Sequence, residues 1–193
     1  MKGLWVALGI VGVIVLVLLF AGGSYVSTKN TLVSMNEDVD SKFSDVNVLQ
    51  QRRMDLIPNL VATVKGYVGE ESTVLTNIAN ARAAVMGATD RASNIKANGQ
   101  LDVAISPLLR LQEAYPNLKS SEQFTRLTDE LAGTENRIAV ARQRYNASLK
   151  DYNVYVQQFP NSIWAGMAGF HYRDEYFKGN PANGTAPTVD FGK

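Results

Sequence analysis

Arginines and carboxylates recur in this chain at positions where a helical pattern calls for apolar side chains. Arg52, Arg53, Asp55 and Asn59 gather around Pro58. Glu71 occupies a core-phase position. Glu135, Asn136 and Arg137, then Arg142, Tyr145 and Asn146, interrupt a long apolar rhythm. Three kinds of chemistry use such groups. Solvent-facing charges and helix caps need no partner, and this is the plainest reading. A paired network inside a bundle sets helix register or forms a partner-docking point, because a buried polar group left alone costs about 1–3 kcal/mol. A carboxylate–arginine pair in a cleft could transfer protons, and this reading has the least behind it.

Other chemistry is poorly served. His171 is the only histidine and has no metal-ligand spacing around it, so a surface or packing role is expected. The Glu-x-x-His pairs of carboxylate-bridged metal bundles are absent, as are GxGxxG, Walker A, HExxH and GxSxG patterns. With no cysteine, thiol catalysis, disulfides, Cys-based metal sites and a lipidated Cys are excluded. No catalytic, cofactor or metal residues are therefore assigned. There are 19 basic and 18 acidic residues. Setting Lys2 aside leaves the soluble part neutral, without the basic stripe that nucleic acid requires.

The positioning begins in a membrane. Residues 3–23 carry no charge, and thirteen of them are Leu, Ile, Val or Phe. At roughly 0.3–0.6 kcal/mol each, these favour insertion by several kcal/mol gross. Twenty-one helical residues reach about 31 Å, enough for a hydrocarbon core of about 30 Å. Trp5 and Tyr25 stand near the two ends, at headgroup level. The apolar run exceeds the 7–15 residues of a signal-peptide core, so an uncleaved anchor over residues 1–27 is expected, despite the small residues Ala21 to Ser24. Lys2 and Lys29 flank the span, so the Lys/Arg count nearly ties. The soluble domain is placed on the outer side of a bacterial cell membrane.

Beyond the anchor the period is helical. Phe124, Leu127, Leu131, Thr134, Ile138, Ala141, Tyr145, Ser148, Tyr152, Tyr155 and Phe159 follow alternating spacings of three and four, a heptad seam along one long helix. Ser120 with Gln123 reads as a capping box at its start, and Pro160 ends it. A second seam, Ile57, Leu60, Val64, Tyr67, Glu71, Val74, Ile78, Ala81 and Val85, predicts a helix over about 56–88. Asp55 would be its N-cap and Pro58 would lie in its first turn. A preceding helix over 28–52 carries Leu32, Val39, Phe43, Val46 and Leu49; the rival is one continuous helix kinked near Pro58. Residues 87–99 read as a loop, and a short helix spans about 100–114 with Leu101, Ile105, Leu108 and Leu111. The expected fold is all-α: an N-terminal transmembrane helix, then an up-down four-helix bundle over 28–160. By parity the fourth helix returns to the bilayer. That brings the aromatic segment 161–178 near it, with Trp164 and Phe170 touching lipid headgroups or a partner anchor; the other reading is that they cap the bundle end as core. Residues 179–193 read as a disordered tail.

Several blocks resemble the LemA family. They are Arg52-Arg53-Met54-Asp55-Leu56-Ile57-Pro58-Asn59-Leu60-Val61, Val64-Lys65-Gly66-Tyr67, and Glu113-Ala114-Tyr115-Pro116-Asn117-Leu118-Lys119. Thr134-Glu135-Asn136-Arg137-Ile138-Ala139 with Ala141-Arg142, Tyr145-Asn146, Tyr152-Asn153 and Phe159-Pro160 follow in order. The likeness covers about residues 25–177. It implies a bacterial membrane protein built as a bundle of long helices, with no established catalytic activity. Gly69-Glu70-Glu71 departs from the His-Glu expected of the family, which removes a metal-capable side chain. The reading is a membrane-anchored helical scaffold or interaction protein of the envelope. Its partners would be the lipid bilayer, an unidentified protein or a second copy of itself. The alternatives are a regulator of envelope stress or membrane shape acting through lipid contact, and an enzyme using polar bundle residues.

Overall fold

A computed structural model describes residues 2–68 and 73–178. Glu71 and the tail 179–193 lie outside the described residues. The described residues form six helices: α1 (Lys2–Val68), α2 (Thr73–Met86), α3 (Arg91–Ala114), α4 (Pro116–Lys119), α5 (Glu122–Gln157) and α6 (Asn161–Ala168). The fold is all-α, with no strand among the described residues.

α1 runs unbroken from the apolar leader through Pro58. The expected break at Asp55 is not there, and Asp55 caps nothing: it accepts a hydrogen bond from Gln51 Nε2 at 2.9 Å, one turn back in the same helix. An interior proline costs about 3 kcal/mol. Met54, Ile57, Leu60 and Val64 straddle Pro58 and are all buried. Each such side chain gains about 1.5–3 kcal/mol on burial, so continuing the buried stripe outweighs the lost hydrogen bond. Within the span predicted as one helix, α1 is described to Val68 and α2 from Thr73, and residues 69–72 lie outside the described residues.

Two compact units divide the chain, and α1 and α5 contribute residues to both. Of the described residues, the first comprises 2–43 and 144–174, the second 44–68, 73–143 and 175–178. In the first, the most apolar window of α1 has a mean hydropathy of 2.3 and none of it is buried. Its length and its outward-facing apolar side chains are those of a membrane-crossing helix. Farther along, Leu32, Val39 and Phe43 of α1 are buried, as are Tyr145, Leu149, Tyr152 and Val156 of α5. Phe43 meets the Tyr145 ring at 5.4 Å and Tyr25 meets Trp164 at 5.9 Å. Numbers falling along α1 thus match numbers rising beyond α5, so the two run antiparallel. The α5 stripe leaves the strict heptad here. Leu149 and Val156 are buried, whereas Phe159, assigned to the seam, is 82% exposed. A straight helix of 3.6 residues per turn drifts from a 3.5 repeat, and a four-four spacing at 141, 145 and 149 absorbs the drift.

In the second unit, Met54, Ile57, Leu60 and Val64 of α1, Leu75 and Ile78 of α2, Leu101, Ile105 and Leu108 of α3, and Phe124, Leu127 and Leu131 of α5 form one core, with Leu118 of α4 inserted. This is a four-helix bundle in which α4 acts as a plug. α3 begins nine residues earlier than the sequence pattern indicated. Asp90 caps it: Ser93 N–H donates to Asp90 Oδ1 at 2.8 Å, and Asp90 N–H donates to Ser93 Oγ at 3.2 Å. The cap of α5 is Ser121, whose Oγ accepts from Phe124 N–H at 3.3 Å, rather than Ser120, whose hydroxyl bonds Pro116 O. One residue of shift places the acceptor three before an apolar Phe, so Gln123 closes no box.

Candidate functional site

The polar centre of the second unit is built on Arg53. Spacings of three and four carry the buried stripe of α1 through Val46, Gln50, Arg53 and Ile57, so the helix delivers this cation inward, at 1% exposure. Its Nη1 donates to Asp102 Oδ1 and, at 3.0 Å, to Glu135 Oε2. Its Nη2 donates to Asn98 Oδ1 at 2.9 Å. Arg142 Nη1 donates to the second Asp102 oxygen at 3.1 Å and stands 4.0 Å from Glu135 Oε1. Two guanidinium groups and two carboxylates therefore alternate, and their formal charge sums to zero. Asn98, fully buried, turns its amide back onto Asn94, at 3.0 Å to the carbonyl and 3.1 Å to Oδ1.

Each helix supplies its pair by simple periodicity. Asn98 and Asp102 are four apart on α3, and Glu135 and Arg142 are two turns apart on α5. The far side of Arg142 is covered by Phe177, with its ring centroid 5.2 Å from the guanidinium carbon. The segment carrying Phe177 also reaches α3 through Glu175, 3.3 Å from Arg91. The Nε atoms of Arg53 and Arg142 are buried and meet no protein acceptor.

Of the residues singled out from sequence, Arg53, Glu135 and Arg142 meet here. Arg52 lies outside the cluster, in an exposed pair with Glu130 at 2.8 Å. Asn59, Asn136 and Arg137 are exposed, with the Asn59 carbonyl accepting the Thr63 hydroxyl at 2.9 Å. Tyr145 is a core ring of the first unit and Asn146 is half-buried beside it. Trp164 and Phe170 are half-buried in the first unit; the Trp164 indole N–H points inward and finds no acceptor. Asn98 was missed because residues 87–99 read as a loop, and Asp102, inside the expected helix 100–114, was not singled out. Their signal was the polar series Asn94, Asn98, Asp102 at intervals of four, beside Leu101, Ile105 and Leu108.

The first unit holds its own polar clamp. Asn153, buried, donates to Arg173 O at 2.7 Å and accepts from Arg173 N–H at 2.9 Å. The Arg173 guanidinium bonds Asn36 Oδ1 at 2.9 Å and Asp40 Oδ1 at 3.2 Å. Tyr152 donates its hydroxyl to His171 O at 3.1 Å. Burial pushes the Tyr152 phenol above its usual range, with nearby Asp40 adding to the shift. The Asp90 carboxyl is held below its usual range, first by the backbone N–H of Ser93 and then by the Ser93 hydroxyl.

Two apolar clefts open on the second unit, one of about 420 Å³ between α2 and α3 and one of about 310 Å³ between α1 and α2. Neither is lined by the arginine network. No group of three or more metal-capable side chains gathers among the described residues.

The LemA family model matches residues 42–191. Magnetosome protein MamQ 2 of Paramagnetospirillum magneticum is 27% identical over 182 residues, covering 81% of this chain and 66% of that protein. Magnetosome protein MamQ of Magnetospirillum gryphiswaldense is 27% identical over 183 residues, with the same coverage. Protein LemA of Metamycoplasma hominis is 25% identical over 137 residues, covering 70% of this chain and 62% of its own length. The chain thus spans about two thirds of the length of these relatives.

Proposed function

The chain belongs to the LemA family, and we propose that it serves there as a membrane-anchored helical scaffold or interaction protein without catalytic activity. The observation that carries this reading is the closed arginine–carboxylate network. Every charge in it faces an opposite charge of the same chain. A general acid or base needs a substrate proton within reach in a pocket, and neither of the clefts described above is lined by the network. What the network suits is register. Arg53 accepts one pairing of α1 with α3 and α5, and a slip of one turn in any of them strands a buried cation.

The proposal places the amino terminus inside and the bundle outside the membrane. Lys2 lies at the inner end and Lys29 on the other, in the Lys/Arg balance that sets orientation. The bundle's outer faces would engage a second copy or another protein.

The test uses the intact protein in mild detergent. Glu135→Gln and Arg142→Gln should lower bundle stability and shift the particle size of any assembly. Variants that stay as stable and as assembled as the parent, yet lose turnover of a substrate, would replace the scaffold reading with an enzymatic one. Protease access to the bundle in sealed vesicles of known sidedness tests the orientation.

A further inference from the structure

We propose that α6 is a second membrane contact: its exposed face, made by Ile163 and Met167 with Phe159 beside it, lies in the interfacial layer of the bilayer that α1 crosses. The inference rests on the anchor alone and not on the scaffold reading. α6 (Asn161–Ala168) has no charged residue. Ile163 and Met167, one turn apart on one face, are 53% and 69% exposed, and Phe159 is 82% exposed. The other face holds the helix to its unit through buried Ala165 and through Trp164, packed edge-on against Tyr25. Gly169, with φ of +80°, stops the helix, and Phe170 N–H returns to Ala165 O at 2.9 Å.

Tyr25 fixes the depth. It follows Gly23, where the strongly apolar run gives way to Ser24, by two positions, about 3 Å along the axis. The headgroup layer on each side of the hydrocarbon core is about 5–8 Å thick. A side chain touching Tyr25 is therefore at headgroup level, and exposed apolar neighbours there meet lipid. Lipid is also the occupant that fits the size of the patch. Three side chains offer far less than the roughly 1,200 Å² of total burial of a stable protein–protein interface. A helix lying at the surface beside a spanning one gives the protein two attachment points, which oppose tilting of the first unit away from the membrane plane.

The chain has no cysteine, so single nitroxide labels are unambiguous. Full-length Ile163→Cys and Met167→Cys proteins are labelled and reconstituted in phosphatidylcholine–phosphatidylglycerol vesicles. Leu16→Cys serves as the lipid reference and Val140→Cys as the water reference. Expected is a collision pattern at 163 and 167 weighted toward oxygen over a water-soluble nickel chelate, in the sense of Leu16 and opposite to Val140. A pattern matching Val140 overturns the proposal. Protection from both reagents also overturns it and assigns the face to a second copy or another protein.

Discussion

Removing Arg53 and removing its partner Asp102 should cost different amounts. Arg53→Met deletes the guanidinium but keeps most of the aliphatic bulk. Asp102 and Glu135 then retain Arg142, and their side chains are 25% and 45% exposed, so water can reach them. The main loss is the acceptor role of buried Asn98, about 1–3 kcal/mol for an orphaned polar group. We expect about 2–3 kcal/mol in all. Asp102→Ala instead leaves a cation that is 1% exposed with Glu135 as its only anion. Stranding a buried charge costs about 3–5 kcal/mol; the surviving Glu135 bond holds the expectation to about 3–4. At tenfold per 1.4 kcal/mol, amide exchange across α3 should accelerate about 30- to 150-fold in Arg53→Met and several hundredfold in Asp102→Ala. Hydrogen exchange of the full chain in detergent reads α3 separately from the anchor. Equal effects, or a larger effect for Arg53→Met, would refute the reasoning, as would less than tenfold in both.

Three further outcomes follow from single contacts. The Asp90 carboxyl titrates below its ordinary value, so its contribution to the α3 cap is complete above that value, near 3.8. It is lost as pH falls through the lowered one; exchange of the first α3 amides should quicken in that acid window, and Asp90→Asn should remove this pH dependence. Tyr152 titrates above its ordinary value of 10.0, so its contribution is intact below that pH and is lost as pH rises beyond it. Tyr152→Phe should flatten the alkaline limb of the denaturation midpoint plotted against pH, and an unchanged limb counts against the buried phenol. Asn153→Ala removes both backbone bonds to Arg173 and should free the segment after α6. Limited proteolysis would then cut between Gly169 and Lys178 sooner than in the parent, at unchanged helix content by circular dichroism.

The apolar leader, the all-helical class and most of the buried stripe were legible from one chain. Composition and a period of 3.6 report directly on whether a helix faces lipid, core or water. Leu101, Ile105 and Leu108 identified α3 well enough, but its polar first half hid among residues 87–99. Asn94 and Asn98 look like loop residues until Arg53 is opposite them, and Asp102, inside the expected helix, carries no local sign of that partner. Pro58 shows the limit most clearly. Locally it signals a break, and the tertiary core on either side overrides it, because burying four side chains outweighs one lost hydrogen bond. The same limit applies to Arg53, Glu135 and Arg142. Sequence separates them by up to 89 positions, and nothing local distinguishes them from the equally polar Arg52, Asn136 and Arg137. Which arginine turns inward is decided by helix phase against neighbouring helices. The partner it finds there depends on how α1, α3 and α5 align, which is a property of the packed bundle and not of any one segment.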